Sequence, residues 1–170
     1  MPDPASFSVV TALRNGGEVE IRALRPSDRS ALLLAVAHAS DRSLYRRFFA
    51  VRREFSDAEV AAFVNVDFTL QVALVAVSRA SGGEVIVAGA RYIVVRPGLA
   101  EVAFTVVDEF QGQGIASAML RHLVELARAA GLTAFIAEVL PSNTAMLRVL
   151  ERSGLPLQKK REGDVLHLTL

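Results

Sequence analysis

A glycine-rich turn, Gln111, Gly112, Gln113 and Gly114, stands between a β-rich run, Glu101–Val107, and an amphipathic run, Gly114–Ala130. Gly131 at the C′ position stops that helix, and Thr133–Leu140 reads as the next strand. A strand–helix–strand crossover is right-handed and sets its two strands parallel. The strands ahead of it read differently. Leu70–Ser78 and Glu84–Val95 are joined by Ser81, Gly82 and Gly83, and Pro97 and Gly98 precede Glu101. Short turns between successive strands give an antiparallel meander. One parallel pair inside a mainly antiparallel sheet restricts the chain to an α+β fold, and the parallel pair is where a ligand is expected.

The remaining segments fit around that crossover. Residues 1–17, with Pro2, Pro4 and the turn at Asn15, Gly16 and Gly17, read as a loose lead-in. Residues 18–170 read as one domain. Glu18–Leu24 alternates like a half-buried strand. A helix starts at Pro26, Ser27 and Asp28 and runs to about Ala39, with Leu32, Leu33, Val36 and Ala39 on a core face. Asp41–Ala50 is a second helix. Ser56 and Glu59 have capping-box spacing and open a third, to about Val66. After the crossover, Asn143–Ser153 is a helix stopped by Gly154. Leu155–Lys160 and Val165–Leu170 form a last hairpin about Glu162, Gly163 and Asp164. About seven strands result.

Composition narrows the function. Of 170 residues, 52% are hydrophobic and 22% charged, so one full core is within reach and disorder is not expected. Nineteen Lys+Arg against eighteen Asp+Glu leave a net charge of +1, which argues against a dedicated nucleic-acid binder. The absence of cysteine excludes disulfides, thiolate-held zinc and a cysteine nucleophile. Neither a signal segment nor an apolar run of about 18 residues is seen, so a cytoplasmic protein without a membrane partner is expected.

The turn itself suits a phosphate. Backbone N–H groups at a helix start lack partners, the helix dipole is positive there, and glycine removes the Cβ that would block approach. A diphosphate is therefore expected at residues 111–117, on Gln111, Gly112, Gln113, Gly114, Ile115, Ala116 and Ser117. No Gly-Lys-Ser/Thr follows, so this is not a P-loop. Gly112, Gly114 and Ser117 come near the dinucleotide fingerprint, with Ser where its third glycine belongs.

These residues resemble the GNAT superfamily of acetyl-CoA-dependent N-acetyltransferases. Gln111, Gly114 and Ala116 match its pyrophosphate motif. Asn143, followed by Gly154 and Leu155, matches its second CoA-contacting segment. The resemblance covers about residues 18–170. It implies acetyl-CoA as co-substrate, no metal, helices on both sheet faces, and a splay between the strands 101–107 and 133–140. The segments Ser43–Phe49, Val66–Phe68, Ala73–Ala76 and Ala100–Phe104 further resemble bacterial protein lysine acetyltransferases of the Pat type. The implied acceptor is a protein lysine, with a small amine as the alternative. A non-catalytic acyl-CoA sensor is a third reading.

A lysine amine of pKa near 10.4 costs about 4.6 kcal/mol to deprotonate at pH 7. The carboxylates near the turn are Glu101, Asp108, Glu109 and Glu138. Spacing alone reads Glu101 as a strand-edge carboxylate in water. The resemblance makes it the general base, about 20 Å along the strand from the turn, a span suited to a pantetheine arm. Asp108 and Glu109 read as turn caps or solvent-facing groups, and Glu138 is the second candidate base. The resemblance also implies an oxyanion donor on the backbone of Thr105, Val106 or Val107. The family's usual thiolate-protonating tyrosine is replaced by Leu150. Asn143 reads as a helix N-cap and, by resemblance, a pantetheine contact. Arg42, Arg46, Arg47, Arg52 and Arg53 read as a solvated helix face, Phe48 and Phe49 as core, and His122 as surface or packing.

Overall fold

The computed structural model describes residues 3–79 and 82–170. Pro2 of the lead-in and Ser81 of the hairpin turn lie outside the described residues. Eight strands form one sheet: β1 (Ser8–Ala12), β2 (Glu18–Ala23), β3 (Gln71–Ser78), β4 (Val85–Arg96), β5 (Leu99–Val106), β6 (Ala134–Val139), β7 (Gln158–Glu162) and β8 (Val165–Thr169), in the order β1-β2-β3-β4-β5-β6-β8-β7. Among the described residues five α-helices accompany them: α1 (Arg29–His38), α2 (Asp41–Phe48), α3 (Asp57–Val64), α4 (Ile115–Ala129) and α5 (Thr144–Glu151).

The eighth strand is β1, within the segment expected to be loose. It pairs antiparallel with β2 from Ser8 opposite Arg22 to Ala12 opposite Glu18. Its side chains are exposed or half-buried, so its hydrophobic contrast is weak and its two prolines precede it. The strand is made by edge pairing, which local sequence does not display.

All sheet neighbours are antiparallel except β5 and β6. That parallel pair is short. Leu99, Ala100 and Glu101 lie opposite Ala134, Phe135 and Ile136, and pairing stops there. Beyond Glu101 the two strands part, which is the expected splay.

The sheet is covered on both faces. One face supplies Leu74, Ala90, Tyr92 and Val102 to the main core, closed by Met119, Leu123 and Leu126 of α4 and Leu150 of α5. Alternate positions on β3, Ala73, Val75 and Val77, face the other way, against Leu32 of α1. The first-face helix, α4, buries seven of its residues. The second-face helix, α1, buries none, and its Leu33 and Leu34 are exposed. Leu33 is therefore not core, contrary to its helical spacing. Ser56 and Glu59 form the expected capping box on α3, with Glu59 N–H donating to Ser56 Oγ at 3.2 Å and Ser56 N–H to Glu59 Oε2 at 2.8 Å. No described helix is long and apolar enough to cross a membrane.

Candidate active site: a cradle beside an open seam in the sheet

The turn after β5 is a cradle. Gly112 and Gly114 have φ of 76° and 91°, the left-handed region that glycine tolerates best. Gln111 N–H donates to Asp108 O at 3.2 Å. From Gly112 to Ser117 no backbone N–H meets an acceptor among the described residues, until Ala118 N–H donates to Gly114 O at 3.1 Å. Six consecutive free donors at the start of a 15-residue helix, with the dipole aligned, are a geometry suited to an anion. A Cβ on Gly112 would meet no atom within 4 Å, so its side of the loop is open.

A cleft of about 260 Å³ runs from this cradle. It brings together Thr105, Val106, Gln111, Gly112, Gly114, Ile115, Ala116, Ser117 and Asn143. Val107, Gln113 and Glu101 are not among its lining residues. Gln111 faces inward and ties the loop, its Nε2 donating to Val106 O at 3.0 Å and to Ser43 Oγ at 3.3 Å. Asn143 is the expected N-cap, its Oδ1 accepting from Met146 N–H at 3.3 Å, and the residue also lines the cleft.

Asp108 turns away from the cradle. It accepts from Ser43 Oγ at 2.6 Å and Ser40 Oγ at 3.0 Å. The Ser43 hydroxyl first, then that of Ser40, holds its carboxyl below the usual range against the opposing effect of burial. The acid nearest the cradle is thus engaged on α2. Glu109 is exposed.

The open seam determines which backbone donors are free. Val107 N–H donates to Val87 O at 2.9 Å. With Thr105 opposite Gly89 and Val106 opposite Ala88, the antiparallel ladder alternates. Thr105, like Val107, points its N–H at β4. Phe104 and Val106 point theirs at the gap left by β6. Of the residues expected to offer an oxyanion donor, only Val106 can, and Phe104 joins it.

Glu101 is exposed, at the last paired position of the seam. Its side chain shares the α1–α3 face with Ala103 and Thr105, and its charge supports the Arg47 guanidinium against the lowering effect of burial. Glu138 faces His167 at 3.5 Å across β6 and β8 and is not among the cleft's lining residues. Leu150 is 1% exposed within the main core. His122 packs under Phe7, ring centroids 5.0 Å apart.

The arginine cluster divides. Arg52 pairs with Glu59 at 2.6 Å, and Arg53 with Asp41 at 2.6 Å while donating to Ala39 O at 2.9 Å. These two hold α1, α2 and α3 together. Arg46 Nη2 reaches across the cleft to Ser142 O at 3.2 Å. Arg47 is half-buried and lines the cleft, so it is not part of a solvated face. Phe48 packs on Phe55 at 5.4 Å. Phe49, expected in the core, is exposed at the left-handed C-cap of α2, φ 54°.

Sequence spacing missed further cleft residues: Arg14, Ser43, Arg46, Arg148 and Arg152. Arg148 and Arg152 stand four apart on and just after α5, a visible one-face pattern. Arg14 had no local signal. It sits in the β1–β2 turn, donating from its backbone to Gln113 O at 3.3 Å and from Nη1 to Gly112 O at 3.3 Å. With Arg47, five guanidinium groups line the cleft and no carboxylate does. That field suits a polyanion. No cluster of three or more potential metal ligands occurs among the described residues.

The comparisons agree with this architecture. A family model described as an acetyltransferase (GNAT) domain matches residues 18–156. The chain is 35% identical over 158 residues to acetyltransferase Pat of Mycolicibacterium smegmatis, covering 91% of this chain and 46% of that protein. It is 30% identical over 138 residues to acetyltransferase PA5475 of Pseudomonas aeruginosa, covering 81% and 74%. The crystal structure of the GNAT domain of S. lividans PAT superimposes with a TM-score of 0.85 at 35% identity, covering 96% of both chains. The chain thus spans about half the length of the mycobacterial relative. Cradle, seam, strand order and these matches lead to one assignment: the chain belongs to the GNAT acetyltransferase family.

Proposed function

We propose that this chain transfers an acetyl group from acetyl-CoA to an amine, in a ternary complex, with a protein lysine as the favoured acceptor. The observation that carries the reading is the placement of six free N–H donors at the cradle beside the seam where Phe104 and Val106 offer theirs. The residues present fit acetyl-CoA. The cradle and the cleft arginines suit its phosphates, and the seam and Asn143 suit its pantetheine amides. Bound there, acetyl-CoA supplies the activated acyl carbon.

The acceptor amine attacks the thioester carbonyl carbon. The C–N bond forms as the C–S bond breaks, and the electron pair leaves on sulfur. The Phe104 and Val106 N–H groups stabilise negative charge developing on the carbonyl oxygen, a contribution of roughly 3 kcal/mol for one such donor. Glu101 takes the amine proton, directly or through a water. Leu150 cannot protonate the thiolate, whose solution pKa near 8.5 lets it leave unaided. The lysine acceptor rests on likeness to the Pat acetyltransferases.

The test is acetyl-CoA-dependent acetylation of a host lysate, read by mass spectrometry, wild type beside Glu101→Gln. Discrete acetylated lysines that disappear with the variant are expected. No acetylation of protein, with turnover on free polyamines or amino acids, replaces the lysine reading by a small-amine one. Tight acetyl-CoA binding without turnover on any acceptor favours an acyl-CoA sensor, the reading that Leu150 supports.

A further inference from the structure

A second cavity, about 120 Å³, lies under α1–α3 against β3, β4 and β5. It shares Arg47, Thr105 and Val106 with the cleft, so the two spaces meet at the expected acyl end. A cavity of about 150 Å³ admits a benzene-sized group, so this one has room for several heavy atoms. Small residues on its sheet wall create the room: Ala73, Gly89 and Ala103.

Apart from Thr105, its lining side chains are apolar except at one place. Arg47 and Arg91 both border it. Their guanidinium carbons lie 6.0 Å and 4.6 Å from the centroid of the same Phe63 ring. Arg91 also donates to Phe63 O. Neither arginine forms an ion pair among the described residues, whereas Arg22, Arg29, Arg52, Arg53 and Arg79 all do. The nearest carboxylate in the register is Glu101, diagonal to Arg91 across β4 and β5. It is exposed, does not line the cavity, and is not within ion-pair distance of either cation. Burial first, then the charge of Arg47, pushes Arg91 down to about 10, still protonated at neutral pH. Two adjacent cations at an apolar space are costly when no carboxylate is in contact with them, and the charge of Glu101 reaches Arg47 only from a distance and offsets burial in part. Cation–π contact with Phe63 offsets only part of that.

We propose that this cavity is a carboxylate-reading subsite. Arg47 and Arg91 receive a carboxylate carried by one of the two substrates, at the end of an acyl chain longer than acetyl or on the acceptor. Arginine suits this role, since its planar fork pairs with a carboxylate in bidentate geometry. The inference rests on the acyl-transfer reading and specifies its substrate class.

The experiment has two arms, each read both as kcat/KM and as equilibrium binding, so that missing turnover still leaves the preference measurable. The first compares succinyl-CoA with butyryl-CoA. The second compares free amino acids with their amides as acceptors and competing ligands. A preference for the carboxylate of at least about tenfold is expected in one arm, which identifies the source. Arg91→Met should reduce it to near unity, and Arg91→Lys should keep part of it. Melting curves establish that both variants are folded. Equal affinity for the members of both pairs overturns the proposal, as does a preference that survives in folded Arg91→Met. If acetyl-CoA itself neither binds nor reacts, the acyl-transfer reading falls, and that outcome is separate.

Discussion

The carboxylate of Asp108 accepts the Ser43 hydroxyl at 2.6 Å, joining residues 65 positions apart in the chain. This contact fastens the N-terminal turn of α2 to the root of the cradle, and Ser40 adds a second tie at 3.0 Å. Asp108→Ala removes two hydrogen bonds to a charged acceptor, each worth about 1.5–3 kcal/mol. Because the groups are only partly buried, the lower end applies. A melting-temperature drop of several degrees and a several-fold rise in KM for acetyl-CoA are expected. An unchanged KM would show that α2 does not shape the cleft.

Gly112→Ala and Gly114→Ala address the cradle itself. Each forces a Cβ into a left-handed conformation, at roughly 1–2 kcal/mol, and at Gly112 that Cβ projects into the open side. Acetyl-CoA binding, measured by calorimetry, should weaken by about tenfold or more. If affinity stays within a factor of two in both variants, the diphosphate is held elsewhere.

Arg148 and Arg152 are cleft cations without ion pairs among the described residues. The double change to Ala should weaken CoA binding and flatten its dependence on salt, since fewer exposed charge contacts remain to be screened. Ligand-free stability should move by less than about 0.5 kcal/mol, as is usual for surface substitutions. A salt dependence equal to wild type contradicts the assignment.

Arg22 and Asp28 form a two-pronged pair, 2.8 Å on each branch, with both side chains buried. Burial alone would raise the Asp28 pKa. The Arg22 hydrogen bonds and the Arg25 N–H overcome it, so the folded-state value lies below the ordinary one. The stabilisation is therefore complete above the unfolded-state pKa of about 3.9. It is lost as pH falls through the lower, folded-state value. Asp28→Asn leaves Arg22 without a buried anion and should lose about 3 kcal/mol at pH 7. Its urea-unfolding stability should also lose part of its slope below pH 4. A stability unchanged at pH 7 would show that the pair contributes nothing net.

The crossover and cradle were legible because a turn, its glycines and helix periodicity follow one another within the single stretch Glu101–Leu140. The helices α4 and α5 and the meander followed for the same reason. What sequence spacing could not show was set by distant pairing. The strand β1 exists through its register with β2, and Arg14 reaches Gly112 only because that hairpin folds over the turn. The choice of Phe104 and Val106 over Thr105 and Val107 depends on ladder parity, fixed by β4 and invisible in β5. Arg47 and Arg46 differ by one residue. One faces the cavity and the other spans the cleft, a distinction that helix docking makes.

Where β5 leaves β6 beyond Glu101, the sheet has an interior edge, with N–H groups facing no neighbouring strand. A pantetheine arm with its two amides is shaped like a missing strand. Occupancy would therefore close the sheet as well as load the enzyme. A ligand that repairs the fold in this way couples cofactor supply to protein survival. At an acetyl-CoA level 100 times its Kd the folded state gains about 2.7 kcal/mol. Acyl-CoA availability would then govern how long the protein persists as well as how fast it works.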